Sequence, residues 1–229
     1  PVQALLDLLE RDEPPCPDKL CAGLPRILFD GQDRLRAQLE RLRGYGVKHA
    51  AVGNPGAAQI AADYGFLMHG EPFLNATNSY AAEALAGWGL CDLALSFELS
   101  LDAARALRSP VPRGVTVYGR LPLMLMENCI IRNRTGSCGC QNTNILTDRK
   151  GARFPVVSAP GCRNELLNSQ KLFLADRAAD YRRIGLWAQR LLFTTENPRE
   201  CVQVAQRYLE QGSWTPNEYT RGLYYRDVE

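Results

Sequence analysis

One strand–helix–strand unit lies in residues 92–119, DLALSFELSLDAARALRSPVPRGVTVYG. The mostly apolar run of residues 92–97 ends at Glu98, a helical stretch follows from Ser100, and the apolar run of residues 114–119 comes next. Serine is a residue type that favours a helix N-cap. Runs that are apolar throughout are typical of strands buried on both faces of a parallel sheet. The stretch therefore predicts a strand, a covering helix and a second, parallel strand.

The same alternation continues on both sides of this unit. Apolar runs and helical stretches follow one another about every 20–25 residues from residue 24 onward, and a helix, a strand and a closing helix return after residue 173. This is the βαβ pattern of an α/β protein. We count about six strands, so the sequence predicts the carboxy-terminal portion of a (β/α) barrel, about six of eight strands, with the amino-terminal barrel segment missing. An open doubly wound sheet is the alternative.

The predicted domain organisation has three parts. Residues 1–23 are a helix and a proline-rich linker, and residues 24–229 are the partial (β/α)-barrel domain. Inside that domain, residues 127–165 are rich in Cys, Gly, Asn and Arg and contain no long periodic segment. Loops this long are usually functional or held together by a ligand. We therefore interpret residues 127–165 as a metal-binding cysteine insertion.

The charge and hydropathy of the sequence restrict the kinds of partner that we expect the protein to bind. The net charge of +2 does not by itself indicate nucleic acid or membrane binding, and no run of eighteen apolar residues predicts a transmembrane helix. Residues 101–200, however, hold 16 Lys and Arg against 8 Asp and Glu. This excess is either a solvated basic surface or a basic face near the site. The second interpretation predicts an anionic or aromatic substrate, with RNA as one possibility.

Four cysteines share the spacing Cys-x8-Cys-x-Cys-x21-Cys, and they are Cys129, Cys138, Cys140 and Cys162. No signal-peptide pattern opens the sequence, so we expect a reducing, cytoplasmic compartment, where clustered thiols more often hold a metal than pair as disulfides. Four thiolates can hold an iron–sulfur cluster or a tetrahedral zinc ion. The alternative is a set of ordinary buried thiols. We predict one metal centre bound by all four.

Several motifs resemble one known family. They are residues 117–124 (VYGRLPLM) followed by residues 127–129 (ENC), residues 146–151 (LTDRKG) with 154–156 (FPV), residues 162–164 (CRN) with 167–169 (LNS), residues 74–79 (LNATNS), residues 95–99 (LSFEL) and residues 219–222 (YTRG). Together they resemble the collagenase-like peptidase family, peptidase family U32, whose catalytic type is unknown. The similarity covers roughly residues 24–226, and the cysteine block is its most specific part.

This resemblance implies an eight-stranded barrel and four cysteines around an iron–sulfur cluster. In several relatives the cluster supports oxygen-independent hydroxylation of an RNA base or a quinone ring, whereas other relatives carry the collagenase-like peptidase name. The Cys-x-Cys spacing of Cys138 and Cys140 departs from the commonest version of the family, so zinc remains the alternative to a cluster.

Catalytic residues are expected where barrel strands end, because active sites of such barrels form at the carboxyl ends of the strands. Glu98 ends one strand and either enters the barrel mouth or caps the next helix. Tyr118 and Arg120 end another, and the Arg120 fork suits a carboxylate or phosphate, or an ion pair with Glu98 or Glu127. Glu127 lies two residues before Cys129, where a supporting hydrogen bond or an acid–base role is plausible.

Three functions follow from these patterns. The first is an enzyme that uses an iron–sulfur centre to hydroxylate an RNA base or a quinone-type ring. The second is a peptidase in which a four-cysteine zinc site is structural. The third is a non-catalytic barrel that binds a partner. No His-Glu-x-x-His or Gly-x-Ser-x-Gly motif supplies familiar peptidase machinery.

Overall fold

A computed structural model describes residues 2–226 of the chain. Pro1 and residues 227–229, which the predicted domain boundaries include, lie outside the described residues. The chain divides into two compact units. Of the described residues, the first unit contains 2–116, 179–189 and 223–226, and the second contains 117–178 and 190–222.

The first unit alternates helices with parallel strands. Its elements are α1 (Val2–Leu9), β1 (Cys21–Gly23), α2 (Gln32–Gly44), β2 (His49–Val52), α3 (Pro55–Asp63), β3 (Leu67–Gly70), α4 (Ser79–Ala86), β4 (Leu90–Ala94), α5 (Leu101–Ala106) and the first residues of β5 (Arg113–Gly119). The strands follow the order β1-β2-β3-β4-β5, and each neighbouring pair is parallel. The predicted α/β class with a parallel sheet is confirmed.

Helix boundaries in this unit follow from local side-chain chemistry. Asn54, Asn78 and Ser100 each accept a hydrogen bond from the backbone N–H three residues later and thereby cap α3, α4 and α5. These caps satisfy donors that a helix start otherwise leaves without partners. On α2, the three leucines Leu35, Leu39 and Leu42 are buried, which is the face that their spacing predicts.

Two apolar runs of the first unit do not form strands. Residues 24–29 are mostly apolar, as at the start of the predicted alternation, but the first strand is the shorter Cys21–Gly23 that precedes them. In the second run, near residues 73–77, Pro72–Leu74 forms a single 3-10 turn, which ends at Asn75 in the left-handed conformation with φ of 56°. Proline pre-sets the dihedral angle of such a turn, and Asn tolerates the left-handed region.

The second unit contains an antiparallel sheet that periodicity did not predict. Its first elements are β6 (Pro122–Met126), α6 (Ile130–Thr135), β7 (Asn144–Thr147), β8 (Arg153–Ala159) and β9 (Arg163–Leu167). The strands pair antiparallel in the order β6-β9-β8-β7. The segment of residues 127–165, in which the sequence showed no long periodic element, therefore contains α6, β7, β8 and the start of β9 joined by irregular stretches. Strands β6, β7 and β8 are largely half-buried or exposed, so their apolar pattern is weak.

An aromatic core holds the rest of the second unit. It contains the end of β5, together with β10 (Lys171–Phe173), part of β11 (Ala188–Leu192), α8 (Pro198–Tyr208) and β12 (Tyr219–Thr220). Tyr118, Phe173 and Val204 are fully buried at its centre. Tyr208, Trp214 and Tyr219 pack around them, and several of these rings meet edge to face at centroid distances near 6 Å. Aromatic pairs favour this geometry over direct stacking.

Gly119 permits a close backbone approach at the end of β5. Its φ is +124°, and a Cβ built on it would overlap the carbonyl oxygen of Leu192 and lie 2.9 Å from the carbonyl carbon. Backbone atoms cannot move aside as a flexible side chain can. We therefore expect Gly119→Ala to lower the free energy of unfolding by about 2–3 kcal/mol, because strain and overlap add.

Gly151→Ala is the matched control, because Gly151 also has a positive φ of +83° but has nothing within 4 Å of its built Cβ. It should cost only about 1 kcal/mol. Urea denaturation of the two variants compares them directly. Equal losses of stability would contradict the steric role assigned to Gly119.

Candidate metal centre

Three of the four predicted ligand cysteines lie together in the second unit. Cys129 is the N-cap of α6, and its Sγ accepts a hydrogen bond from the Arg132 N–H at 3.4 Å. Helix α6 ends at Gly136, whose φ of +74° suits glycine and turns the chain. After that turn, the Sγ atoms of Cys138 and Cys140 lie 3.5 Å apart. Two thiolates on one tetrahedral zinc ion are about 3.8 Å apart, given Zn–S bonds of about 2.3 Å.

The two central thiols have opposite pKa shifts. The backbone N–H of Cys140 donates to the Cys138 sulfur and, with the Cys140 thiol and the nearby Arg132 charge, lowers the pKa of Cys138. The hydrogen bond with Cys138 raises the pKa of Cys140 to about 11, and Cys129 adds to this shift. Cys140 therefore interacts with both Cys138 and Cys129. A positive ion among them would favour the thiolate form of each.

The fourth cysteine is placed at the same end of the antiparallel sheet by strand register. Cys162 lies in the turn between β8 and β9 with φ of 61°. Met126, the last residue of β6, is the register partner of Asn164 on β9, so the segments that carry Cys129 and Cys162 leave this strand pair at the same end. Among the described residues, no hydrogen bond links the Cys162 thiol to the other three. Cys162 therefore lies at the same end of the sheet as Cys129, without a direct sulfur contact.

Two polar contacts fix the segments on either side of these cysteines. Arg163 donates from Nε and Nη2 to the two carboxylate oxygens of Glu127, at 2.6 and 2.8 Å, and from Nη1 to the Pro160 carbonyl at 3.2 Å. The Arg163 side chain is only 7% exposed. The fully buried Asn164 accepts from the Ile130 N–H at 2.8 Å. These contacts join the chain beside Cys129 to the chain beside Cys162.

The four thiols are the right type of donor for a thiolate-bound metal. Their positions fit such a metal less well. Four sulfur donors suit an iron–sulfur cluster or zinc. Within residues 2–226, however, no group of three or more His, Cys, Asp and Glu side chains has the arrangement of a metal site. The cysteines are exposed or half-buried. The sulfurs of Cys138 and Cys140 are in contact, Cys129 interacts with Cys140, and Cys162 lies at the same sheet end as Cys129.

Tyr118, one of the predicted catalytic residues, is buried in a different part of the second unit. Its hydroxyl donates to Oε1 of Glu196 at 3.1 Å, and Lys171 Nζ lies 3.0 Å from the same oxygen. The N–H groups of Thr194 and Thr195 donate to Oε2. The Glu196 side chain is fully buried and its carboxylate has four donors.

The electrostatics of this cluster follow from its burial. Burial alone would raise the pKa of Glu196, but the Thr194 N–H and the Lys171 ammonium outweigh it and hold that pKa below its usual range. Burial raises the pKa of Tyr118 far above its usual value, and the negative charge of Glu196 adds to the shift. Tyr118 is therefore a neutral hydrogen-bond donor at physiological pH. No sequence motif or spacing indicates Lys171 as the partner of Glu196.

The remaining predicted residues have different surroundings. Arg120 donates from Nη1 to the carbonyl oxygens of Asn168, at 2.9 Å, and of Ser169. Its Nε is buried and has no hydrogen-bond partner among the described residues. Glu127 forms its ion pair with Arg163 rather than with Arg120. Glu98 belongs to the first unit, where it is exposed and its N–H donates to Ser96 Oγ at 3.3 Å.

The basic excess of the sequence is partly exposed near the cysteine-bearing sheet. The exposed basic residues of this segment are Arg132, Arg134, Arg149, Lys150 and Arg153. Asp148 is bound by the N–H groups of Lys150 and Ala152 in the β7–β8 turn. The segment therefore carries more exposed positive than negative charge. In the described part of the chain, no helix has both the length and the apolar character needed to cross a bilayer.

We predict that Glu127→Gln destabilises the protein by about 1–2 kcal/mol, because it leaves the nearly buried Arg163 guanidinium with one weaker acceptor in place of a carboxylate. Glu218→Gln is the control, since Glu218 is an exposed carboxylate of the same unit. It should change stability by less than about 0.5 kcal/mol. Urea denaturation at neutral pH measures the stability of both variants. An equal loss of stability in the two would show that the Glu127–Arg163 ion pair does not stabilise the protein.

Comparison with known proteins gives one match. The family described as peptidase family U32 matches residues 27–142, which include the parallel strands β2 to β5 and three of the four cysteines. Searches of curated proteins and of solved structures gave no significant match. The matched segment is half of the chain and agrees with the motifs that suggested this family from the sequence. The chain therefore belongs to peptidase family U32.

Proposed function

We propose that this chain is an enzyme in which Cys129, Cys138, Cys140 and Cys162 hold an iron–sulfur cluster. The cluster would serve in the hydroxylation of an RNA base or a quinone-type ring. The observation that carries this proposal is the 3.5 Å separation of the Cys138 and Cys140 sulfurs beside Cys129. The β6–β9 register adds support, because it brings Cys162 to the same end of the sheet.

When bound, the cluster supplies one-electron chemistry that protein side chains lack. The chain's own residues would hold the cluster and orient the segments that bind it. Arg163, through Glu127 and Pro160, keeps the segments that carry Cys129 and Cys162 in register. Its nearly buried positive charge also offsets the negative charge that four thiolates would bring.

Substrate binding in this proposal falls to the basic and unpaired groups of the second unit. The exposed cations from Arg132 to Arg153 would attract a phosphate-bearing or otherwise anionic substrate. Arg120 would donate from its unpartnered Nε to a substrate acceptor, because a buried donor without a partner costs free energy until one is supplied. Tyr118 would stay protonated and keep its hydrogen bond to Glu196, and Glu127 is the proposed carboxylate of the site in this unit.

We further infer that the parallel strands β1 to β5 belong to a (β/α) barrel. Their order follows the chain and each is separated from the next by helical structure, which is the arrangement of consecutive barrel units. In such a barrel Glu98 would lie at the carboxyl end of β4, the end that carries catalytic residues. A cytoplasmic location is part of the same proposal, since an iron–sulfur centre and reduced thiols suit a reducing compartment.

A peptidase is the second candidate, because the family carries that description. In this case the four cysteines would hold zinc and stabilise the antiparallel sheet, while carboxylates at strand ends activate water. A non-catalytic barrel with the same four-cysteine site is the third candidate. The metal that the chain binds separates the first candidate from the other two.

We predict that protein purified without air is brown and contains iron and sulfide. Changing Cys129, Cys138, Cys140 or Cys162 to Ala should remove most of the metal, because three thiolates hold it far less well than four. Cys201→Ala is the control, since Cys201 lies on α8 outside the cluster, and it should retain full metal content. Iron, zinc and sulfide per chain are the measured quantities.

Two results would revise this proposal. Colourless protein with one zinc per chain would replace the cluster with the structural zinc of the second and third candidates. Full metal content in any one of the four variants would remove that cysteine from the ligand set.

If the protein binds zinc, a gelatin cleavage assay separates a peptidase from a binding module. We expect a peptidase to lose activity at least about 100-fold in Glu98→Gln, because an amide cannot accept the proton of an attacking water. Glu83→Gln, an exposed carboxylate on α4, should keep full activity. Absence of cleavage in the unsubstituted protein would leave only the binding module.

A further inference from the structure

Two histidines and an aspartate form a continuous hydrogen-bonded chain across three strands of the first unit. His49 Nδ1 lies 2.9 Å from His69 Nε2, and His69 Nδ1 is hydrogen-bonded to Asp92 Oδ2. The two imidazole rings are tilted by 38° with centroids 5.1 Å apart. These are the only histidines in the sequence. None of the three belongs to the candidate metal centre, which lies in the second unit.

Strand register explains why these side chains meet. His69 on β3 is opposite Asp92 on β4 and opposite Ala51 on β2. His49 lies two residues before Ala51, so His49 points to the same face of the sheet. Backbone hydrogen bonds already hold these parallel strands together, and a row of polar side chains is not needed for the sheet to form.

A fourth strand adds a thiol to this row. Cys21 on β1 is the register partner of His49, so the two side chains extend from the same face of neighbouring strands, whose backbones are about 4.8 Å apart. Cys21 is exposed, whereas the His69 and Asp92 side chains are 23% and 13% exposed. The row therefore runs from a shielded carboxylate, through two imidazoles, to a thiol at the surface.

The hydrogen bonds define how this row handles a proton. An ionised Asp92 accepts the Nδ1–H of His69, which leaves the Nε2 lone pair of His69 to accept the Nδ1–H of His49. The Nε2 of His49 then carries a lone pair. When that lone pair takes up a proton, the Nδ1 proton of His49 can pass to His69, and the positive charge then lies beside the Asp92 carboxylate. The carboxylate thus stabilises a proton accepted at His49.

Other charged groups near His49 do not oppose this role. Asp18 and Lys48 form an ion pair of 2.9 Å at the surface. The hydrogen bond and charge of Lys48 lower the pKa of Asp18, and the charge of His49 contributes to the same shift. Asp18 is therefore near enough to His49 for the two groups to interact, while Lys48 is already paired with Asp18.

We propose that Cys21, His49, His69 and Asp92 form a reactive thiol site, in which Cys21 takes an acyl or alkyl group from a carbon electrophile such as a thioester. His49 accepts the Cys21 proton, and the sulfur forms a bond to the electrophilic carbon. The bond to the leaving group breaks, and that group departs with the electron pair. A thiolate leaving group then recovers the proton from His49. A nucleophile, an adjacent base and a group that orients the base are the elements of such sites.

Iodoacetamide is the probe that tests this proposal on the full chain. Reduced protein is alkylated at pH 7 without air, and peptide mass spectrometry gives the rate at each cysteine. Cys16 and Cys91 are internal references, because both are exposed and neither lies in the row. An ordinary thiol is only a few per cent ionised at pH 7, so we expect Cys21 to react roughly three- to tenfold faster than the references. In urea the three rates should become equal.

Two variants and a pH series test the row. Asp92→Asn and His49→Gln should each reduce the Cys21 rate to that of Cys16, provided that circular dichroism shows the native fold. In the unsubstituted protein, the Cys21 to Cys16 ratio should fall toward one above about pH 9, where ordinary thiols ionise without a base. Equal native rates at pH 7 would overturn the proposal. So would a fast Cys21 that both folded variants retain, because accessibility alone would then explain it.

Discussion

The nearly buried guanidinium of Arg163 in the second unit must have hydrogen-bond acceptors for its N–H groups. A charged group taken out of water costs several kcal/mol unless hydrogen bonds replace the lost solvation. Glu127 and the Pro160 carbonyl provide them. Because Glu127 precedes Cys129 and Pro160 precedes Cys162, satisfying one side chain fixes two distant cysteine segments. The placement of the candidate metal centre depends on that constraint.

The antiparallel sheet positions the residues of the Arg163–Glu127 contact. Strand β9 pairs with β6 on one side and with β8 on the other, so residues at its start are held by backbone hydrogen bonds on both edges. Asn164 extends this order to α6 by accepting from the Ile130 N–H. Short, half-exposed strands bury little apolar area, so polar contacts and a shared ligand have a larger role in such a sheet than in the aromatic core.

The parallel sheet of the first unit produces its polar row by a different route. Parallel register places side chains of successive strands in one line, and the pleat keeps every second residue on the same face. Cys21, His49, His69 and Asp92 come from four strands that are far apart in the sequence. A row of this kind results from strand register alone, so no local sequence motif predicts it.

The sequence by itself determined the α/β class, the alternation of strands and helices in most of the first unit, the helix cap at Ser100, and the family, because each depends on local periodicity or short motifs. It also singled out the four cysteines by spacing. The tertiary structure decided the antiparallel sheet, the Arg163–Glu127 pair, the Lys171 partner of Glu196 and the histidine row. These depend on which distant strands become neighbours and on which buried charges must then be satisfied, and neither is encoded in the pattern of any single segment.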